Sequence, residues 1–133
     1  MEKGIILTFK ELMLLLQGIG ISRINGIYME EEMVSDEEVI YILRDLEKKE
    51  ILRSDKTSFE VDELMSKMLR CMGRSEKEYL CQTEDGIVYC YEREKEVLTT
   101  QLCATRRKSI ELMLYEKDKF ISEFGKEICN DID

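Results

Sequence analysis

Six carboxylates crowd into nine residues of this chain: Glu30, Glu31, Glu32, Asp36, Glu37 and Glu38. Oxygen donors at that density suit a hard cation such as calcium or magnesium. Their order lacks the alternating Asp/Asn and glycine spacing that wraps a loop around calcium. The cluster therefore reads as a solvated acidic loop running into a helix cap, where a basic partner could dock, and no metal site is expected. Five cysteines (Cys71, Cys81, Cys90, Cys103 and Cys129) include no C-x-x-C pair, and the odd count points to reduced thiols. Histidine is absent altogether. That removes the usual general base, the usual partner of a catalytic cysteine and the commonest zinc ligand. Arg106-Arg107-Lys108 is the only run of three cations, suited to a carboxylate-rich partner. No P-loop, dinucleotide fingerprint or nucleophile elbow occurs. An enzyme is the least supported class, and neither catalytic residues nor a cofactor is expected. The candidate partner-binding residues are Glu30, Glu31 and Glu32, Tyr89 and Tyr91, and Arg106, Arg107 and Lys108.

The elements that would position these groups are legible in the periodicity. Ser35, followed three residues later by Glu38, predicts a capping box and a helix that carries Val39, Ile42, Leu43 and Leu46 on one face. Two short apolar runs around Ser54-Asp55-Lys56 predict a small hairpin. Upstream, Ile5 to Leu7 reads as a short lead-in or strand. Thr8-Phe9-Lys10-Glu11 reads as another capping box, opening a helix that stops near Gly18 or Gly20. Downstream, Asp62 caps a third helix whose inner face is Leu64, Met65, Met68, Leu69 and Met72, with Gly73 as its stop. Helix, helix, small hairpin is the arrangement of a winged helix-turn-helix.

After a polar hinge at residues 74–77 the period changes. Asp85-Gly86 marks a two-residue hairpin. Counting outward from it sets Glu84 against Ile87 and Cys81 against Cys90, a non-hydrogen-bonded pair with Cα atoms about 4.5 Å apart. A disulfide is sterically possible there, but a reducing compartment favours two buried or half-buried thiols. Strands over 96–103 and 108–115 complete a four-stranded antiparallel meander. A last helix from about Glu116 carries Phe120, Ile121, Phe124 and Ile128 on one side. The expected fold is thus α+β: a winged-helix-like part over residues 1–73, then the meander and C-terminal helix over 74–133, packed as one unit.

Composition narrows the partners. The formal charge is −9, spread over both halves: ten Lys or Arg against fifteen Asp or Glu in residues 1–72, and ten against fourteen in 73–133. Nucleic-acid binding draws its affinity from cations that displace phosphate counterions, so nucleic acid is not the expected partner. The longest uncharged run, Leu12 to Ser22, has eleven residues, and a membrane-spanning helix needs about 20. With no signal-peptide pattern, the expected location is the cytoplasm.

Leu7-Thr8-Phe9-Lys10-Glu11-Leu12 resembles the Leu-Thr-x-x-Glu-Leu start of the EspG family, cytosolic chaperones of type VII (ESX) secretion. Leu46-Glu47-Lys48-Lys49-Glu50-Ile51 is similar to that family's Leu-x-x-x-Gly-Leu helix end, with Glu50 in place of the glycine. Val61-Asp62-Glu63-Leu64-Met65 is similar to its Val-Asp-x-x-Leu helix start. Family members are about twice as long and have two pseudo-symmetric halves, so the resemblance implies one half, rebuilt as a homodimer. It also implies a non-enzymatic adaptor that holds a helical exported substrate through the meander and its loops. The rival expectation is a winged-helix transcriptional regulator with a C-terminal dimerisation or sensing sheet.

Overall fold

The computed structural model describes residues 3–20, 35–54, 59–84, 86–103, 108–124 and 128–131. Its fold is α+β, organised on a six-stranded antiparallel sheet. The meander forms as expected from β4 (Lys77–Thr83), β5 (Gly86–Arg93), β6 (Glu96–Leu102) and β7 (Ser109–Glu116). Two strands lie outside that expectation. The N-terminal lead-in is a full strand, β1 (Lys3–Thr8), paired with β7 so that Ile5 faces Leu112 and Leu7 faces Ile110. The last helix, α4 (Lys117–Phe124), is shorter than its apolar pattern suggests. Ile128 lies beyond it in β8 (Ile128–Asp131), on the outer side of β4. The sheet order is therefore β1-β7-β6-β5-β4-β8. Strand β8 runs parallel to β7, and parallel strands require a crossover. Helix α4 lies between them in the chain and packs on the sheet face that carries Val97, Tyr115 and Tyr79.

The central strands are buried on both faces, which explains why their sequences do not alternate cleanly between apolar and polar. In β6, Val97, Leu98, Thr99 and Thr100 are all buried. One face carries Leu7, Tyr91, Leu98, Ile110, Leu112 and Leu114. Against it pack α1 (Phe9–Gly18), α2 (Asp36–Lys48), the hairpin β2 (Leu52–Ser54) with β3 (Phe59–Val61), and α3 (Glu63–Gly73). Met65, Met68, Leu69 and Met72 of α3 are buried in this layer, as is Cys71. The other face carries Cys81, Val88, Cys90, Val97 and Tyr115 under Phe120 of α4. Phe120 stacks on Phe124 with ring centroids 5.4 Å apart, whereas Ile121 is half exposed, away from this core. The polar hinge at 74–77 thus divides the sequence while both sides of it share the helix-side core.

Local chemistry sets the helix ends. Thr8 Oγ1 accepts from the Glu11 N–H at 3.1 Å, and Glu11 Oε1 accepts from the Thr8 N–H at 2.9 Å, closing the expected capping box. Asp62 caps α3 by accepting from the Leu64 N–H. At Ser35 only half of the expected box forms. Ser35 Oγ accepts from the Glu38 N–H, but the Glu38 carboxylate turns to Lys10 Nζ at 2.9 Å, because a cation outcompetes a backbone donor. The hairpin register also differs from expectation. Gly86, at φ +127°, pairs with Thr83 and so closes the turn instead of occupying its centre. Cys81 then faces Val88, and Cys90 faces Tyr79. A two-residue slip keeps every side chain on its face, so the two thiols remain diagonal neighbours, Sγ to Sγ 3.7 Å.

Helix α2 ends in a Schellman motif: Ile51 N–H donates to Leu46 O and Glu50 N–H to Glu47 O. Glu50 adopts φ +64° to make it, a left-handed conformation that penalises any side chain with a Cβ. This is the position where the resembled family carries glycine. Glu50→Gly should raise the unfolding free energy by up to about 1 kcal/mol in urea denaturation. An unchanged or lower midpoint would show that the Glu50 side chain contributes more than its backbone costs.

Candidate groove between the first two helices

A concavity lies where the start of α1 meets the length of α2. It encloses about 520 Å³ and is lined by Thr8, Phe9, Lys10, Glu11, Glu38, Tyr41, Ile42, Asp45, Lys49 and Lys108. Two adjacent residues of α1 build it. Lys10 reaches Glu38 in the first turn of α2 at 2.9 Å. Glu11 reaches Lys49, just past the end of α2, at 3.1 Å. Eleven residues of helix separate those two anchor points, a span of about 16 Å or three turns. Between them Phe9, Tyr41 and Ile42 supply apolar surface.

Glu11 is the pivot. Its side chain is only 6% exposed, and both oxygens are engaged, one by the Thr8 N–H and one by Lys49 Nζ. Lys49 also pairs with Asp45 at 3.0 Å. Burial works to lower the Lys49 pKa, but the hydrogen bonds and charges of Asp45 and Glu11 outweigh it and hold the ammonium above the ordinary value of 10.5. The rim is therefore a set of satisfied ion pairs around an apolar centre. Such a surface is suited to apolar side chains of complementary shape.

The residues picked from sequence scatter. Lys108 joins the groove, and its carbonyl accepts from the Phe9 N–H at 3.0 Å. Glu30, Glu31, Glu32, Arg106 and Arg107 lie outside the described residues. Tyr89 is half buried and packs against the helix-side core, away from the groove lining. Tyr91 is corrected outright: it is 0% exposed, so no partner reaches it. Burial, then the nearby Glu78 charge, pushes its phenol well above the usual range. The hairpin expected at Asp85-Gly86 placed it in a strand, but only the helix layer decides that this face is covered.

Phe9, Tyr41, Asp45 and Lys49 escaped sequence reading. One signal was available: at 100° per residue, Tyr41 points away from the Val39–Leu43–Leu46 stripe and so toward solvent. It is 74% exposed. Among the described residues no three of Cys, Asp or Glu converge to hold a metal. Compared with family models, with characterised proteins and with solved structures, the chain matches none.

Lys49→Met would strand the second oxygen of a buried Glu11 and should cost about 1 kcal/mol, the partial exposure of Lys49 keeping the figure low. The sign with pH follows from the raised folded-state pKa. The stabilisation is complete below 10.5 and fades as pH rises through the folded value. Denaturation of both proteins from pH 7 to 11.5 should give a constant gap that closes only at the alkaline end; a gap that closes near neutrality would remove Lys49 as its source.

Burial, followed by the Glu96 charge, pushes the Cys71 thiol up to about 11. At pH 8 its thiolate population should be about 100-fold below that of an ordinary cysteine. Iodoacetamide mass mapping of the native protein should find Cys71, Cys81 and Cys90 labelled far more slowly than in urea. Rapid native labelling of Cys71 would contradict its place in the core.

Proposed function

We propose that this protein is a non-enzymatic adaptor that holds a helical protein partner in the groove between α1 and α2. The observation that carries the reading is the groove itself: three helical turns long, with Phe9, Tyr41 and Ile42 between ion-paired ends. An amphipathic helix lays its apolar face into such a groove through anchors at i, i+3 or i+4, and i+7. Aromatic residues ringed by polar pairs are the usual energetic centre of a protein interface. The resemblance of residues 7–12 and 61–65 to the EspG family extends the reading to a helical protein destined for export, met in the cytoplasm. No described helix is long and apolar enough to cross a membrane.

A transcriptional regulator is the second reading, favoured by the order α1, α2, hairpin β2–β3. In that fold the second helix offers its N-terminal residues to the major groove. Here those residues are Asp36, Glu37 and Glu38, all exposed, and carboxylates facing phosphates oppose binding.

The test is a photo-crosslinking amino acid at position Asp45, introduced in the native cell. It should join the chain to one heterologous protein through a helical segment, and Tyr41→Ser should cut that product at least tenfold. Crosslinks only to nucleic acid would overturn the adaptor in favour of the regulator; a product insensitive to Tyr41→Ser would remove the groove from the interface.

A further inference from the structure

The face of α2 turned away from the core is organised as a line of its own. On a 100° wheel, Glu37, Tyr41, Arg44 and Lys48 fall within one narrow stripe opposite Leu46, and Ile40 flanks it. All five are exposed, with Ile40 at 53% and Tyr41 at 74%. Among the described residues Glu37, Arg44 and Lys48 make no ion pair, whereas Glu38, Asp45 and Lys49 on the groove side are all paired. An acidic start and a basic end also suit the helix dipole. The dipole does not explain why an exposed aromatic and an exposed isoleucine sit between the charges.

We propose that this stripe is the contact between two copies of the chain, packed as an antiparallel α2–α2 pair about a two-fold axis. The charge order carries the assignment. With the axis midway between Ile42 and Leu43, Glu37 of one copy and Lys48 of the other lie at the same height, about 8 Å from the centre. Tyr41 and Arg44 of opposite copies also share a height, placing a guanidinium against an aromatic ring. Two-fold symmetry makes each contact twice. The stripe is complementary to itself in this orientation and to no parallel copy, which would set Glu37 against Glu37. A single helix pair is a small interface beside the roughly 800 Å² per partner of stable complexes, so the dimer is weak and salt-sensitive. This inference goes beyond the adaptor reading: the ridge lies beside the groove and shares only Tyr41 with it.

The experiment is sedimentation equilibrium over a concentration series reaching hundreds of micromolar, at low and high salt, on the full chain and on Glu37→Lys, Lys48→Glu and the double variant. Wild type should approach dimer mass at low salt. Each single variant sets like charges opposite and should weaken self-association at least tenfold, and the double variant should recover it. The decisive sample mixes the two single variants: each supplies the charge the other lacks, so the mixture should dimerise where neither does alone. Circular dichroism confirms that the exposed substitutions leave the fold intact. A wild type that stays monomeric throughout, or a dimer that neither single variant weakens, overturns the proposal. So does a mixture that stays monomeric. None of these outcomes touches the heterologous crosslink at Asp45, so the two readings fail separately.

Discussion

Burial of the central sheet on both faces is the constraint from which the rest of this structure follows. Strands β5, β6 and β7 carry apolar residues front and back, so the sheet requires two covering layers. The α1–α2–α3 layer covers one face and α4 the other. Apolar burial dominates the stability of such a fold, and its geometry dictates where polar groups must be satisfied. On the α4 side Glu92 is buried, yet its carboxylate accepts from the Tyr79 hydroxyl and from Lys117 Nζ at 3.0 Å. That network ties the start of α4 to the strands beneath it.

The same logic shapes the groove. Thr8 is the last residue of β1 and the cap of α1, so the strand that pairs with β7 also aims the helix. Glu11 serves the cap with one oxygen and Lys49 with the other, which connects the sheet edge to the far end of α2. Lys10, one residue earlier, holds the opposite end. Helix α2 contributes one fully buried residue, Leu46, with Ile42 and Leu43 partly buried beside it, and these polar ties fasten its two ends. A helix seated so shallowly leaves a groove on one flank and an exposed ridge on its outer side. Recognition surfaces arise where packing is incomplete but the element is still fixed in place.

These two surfaces differ in what they ask of a partner. The groove presents apolar side chains between charges already neutralised within the chain, so a partner held there would be selected by shape. The ridge presents charges that make no ion pair among the described residues, in an order that matches its own reverse. A chain with a formal charge of −9 repels its copies at long range, which favours a contact whose charges are locally balanced.

Much of the fold was legible in the sequence wherever the determining interaction is local. The Thr8–Glu11 capping box, the Asp62 cap, the inner face of α3, the small hairpin and the four strands of the meander follow from residues within a few positions of one another. Hydrogen bonds to neighbouring N–H groups and side-chain periodicity depend on nothing further away. Tertiary structure decided whatever rests on long-range pairing. Strand β1 gains its place from β7, about a hundred residues on, and Ile128 leaves the helical pattern because the edge of β4 accepts a strand. The cover of α1 to α3 turned Tyr91 from a candidate surface residue into core, and Thr83 in place of Glu84 closes the hairpin, opposite Gly86. The groove was the least legible feature of all. Its walls come from residues 8–11, 38–49 and 108, which only the packed sheet and helices bring together.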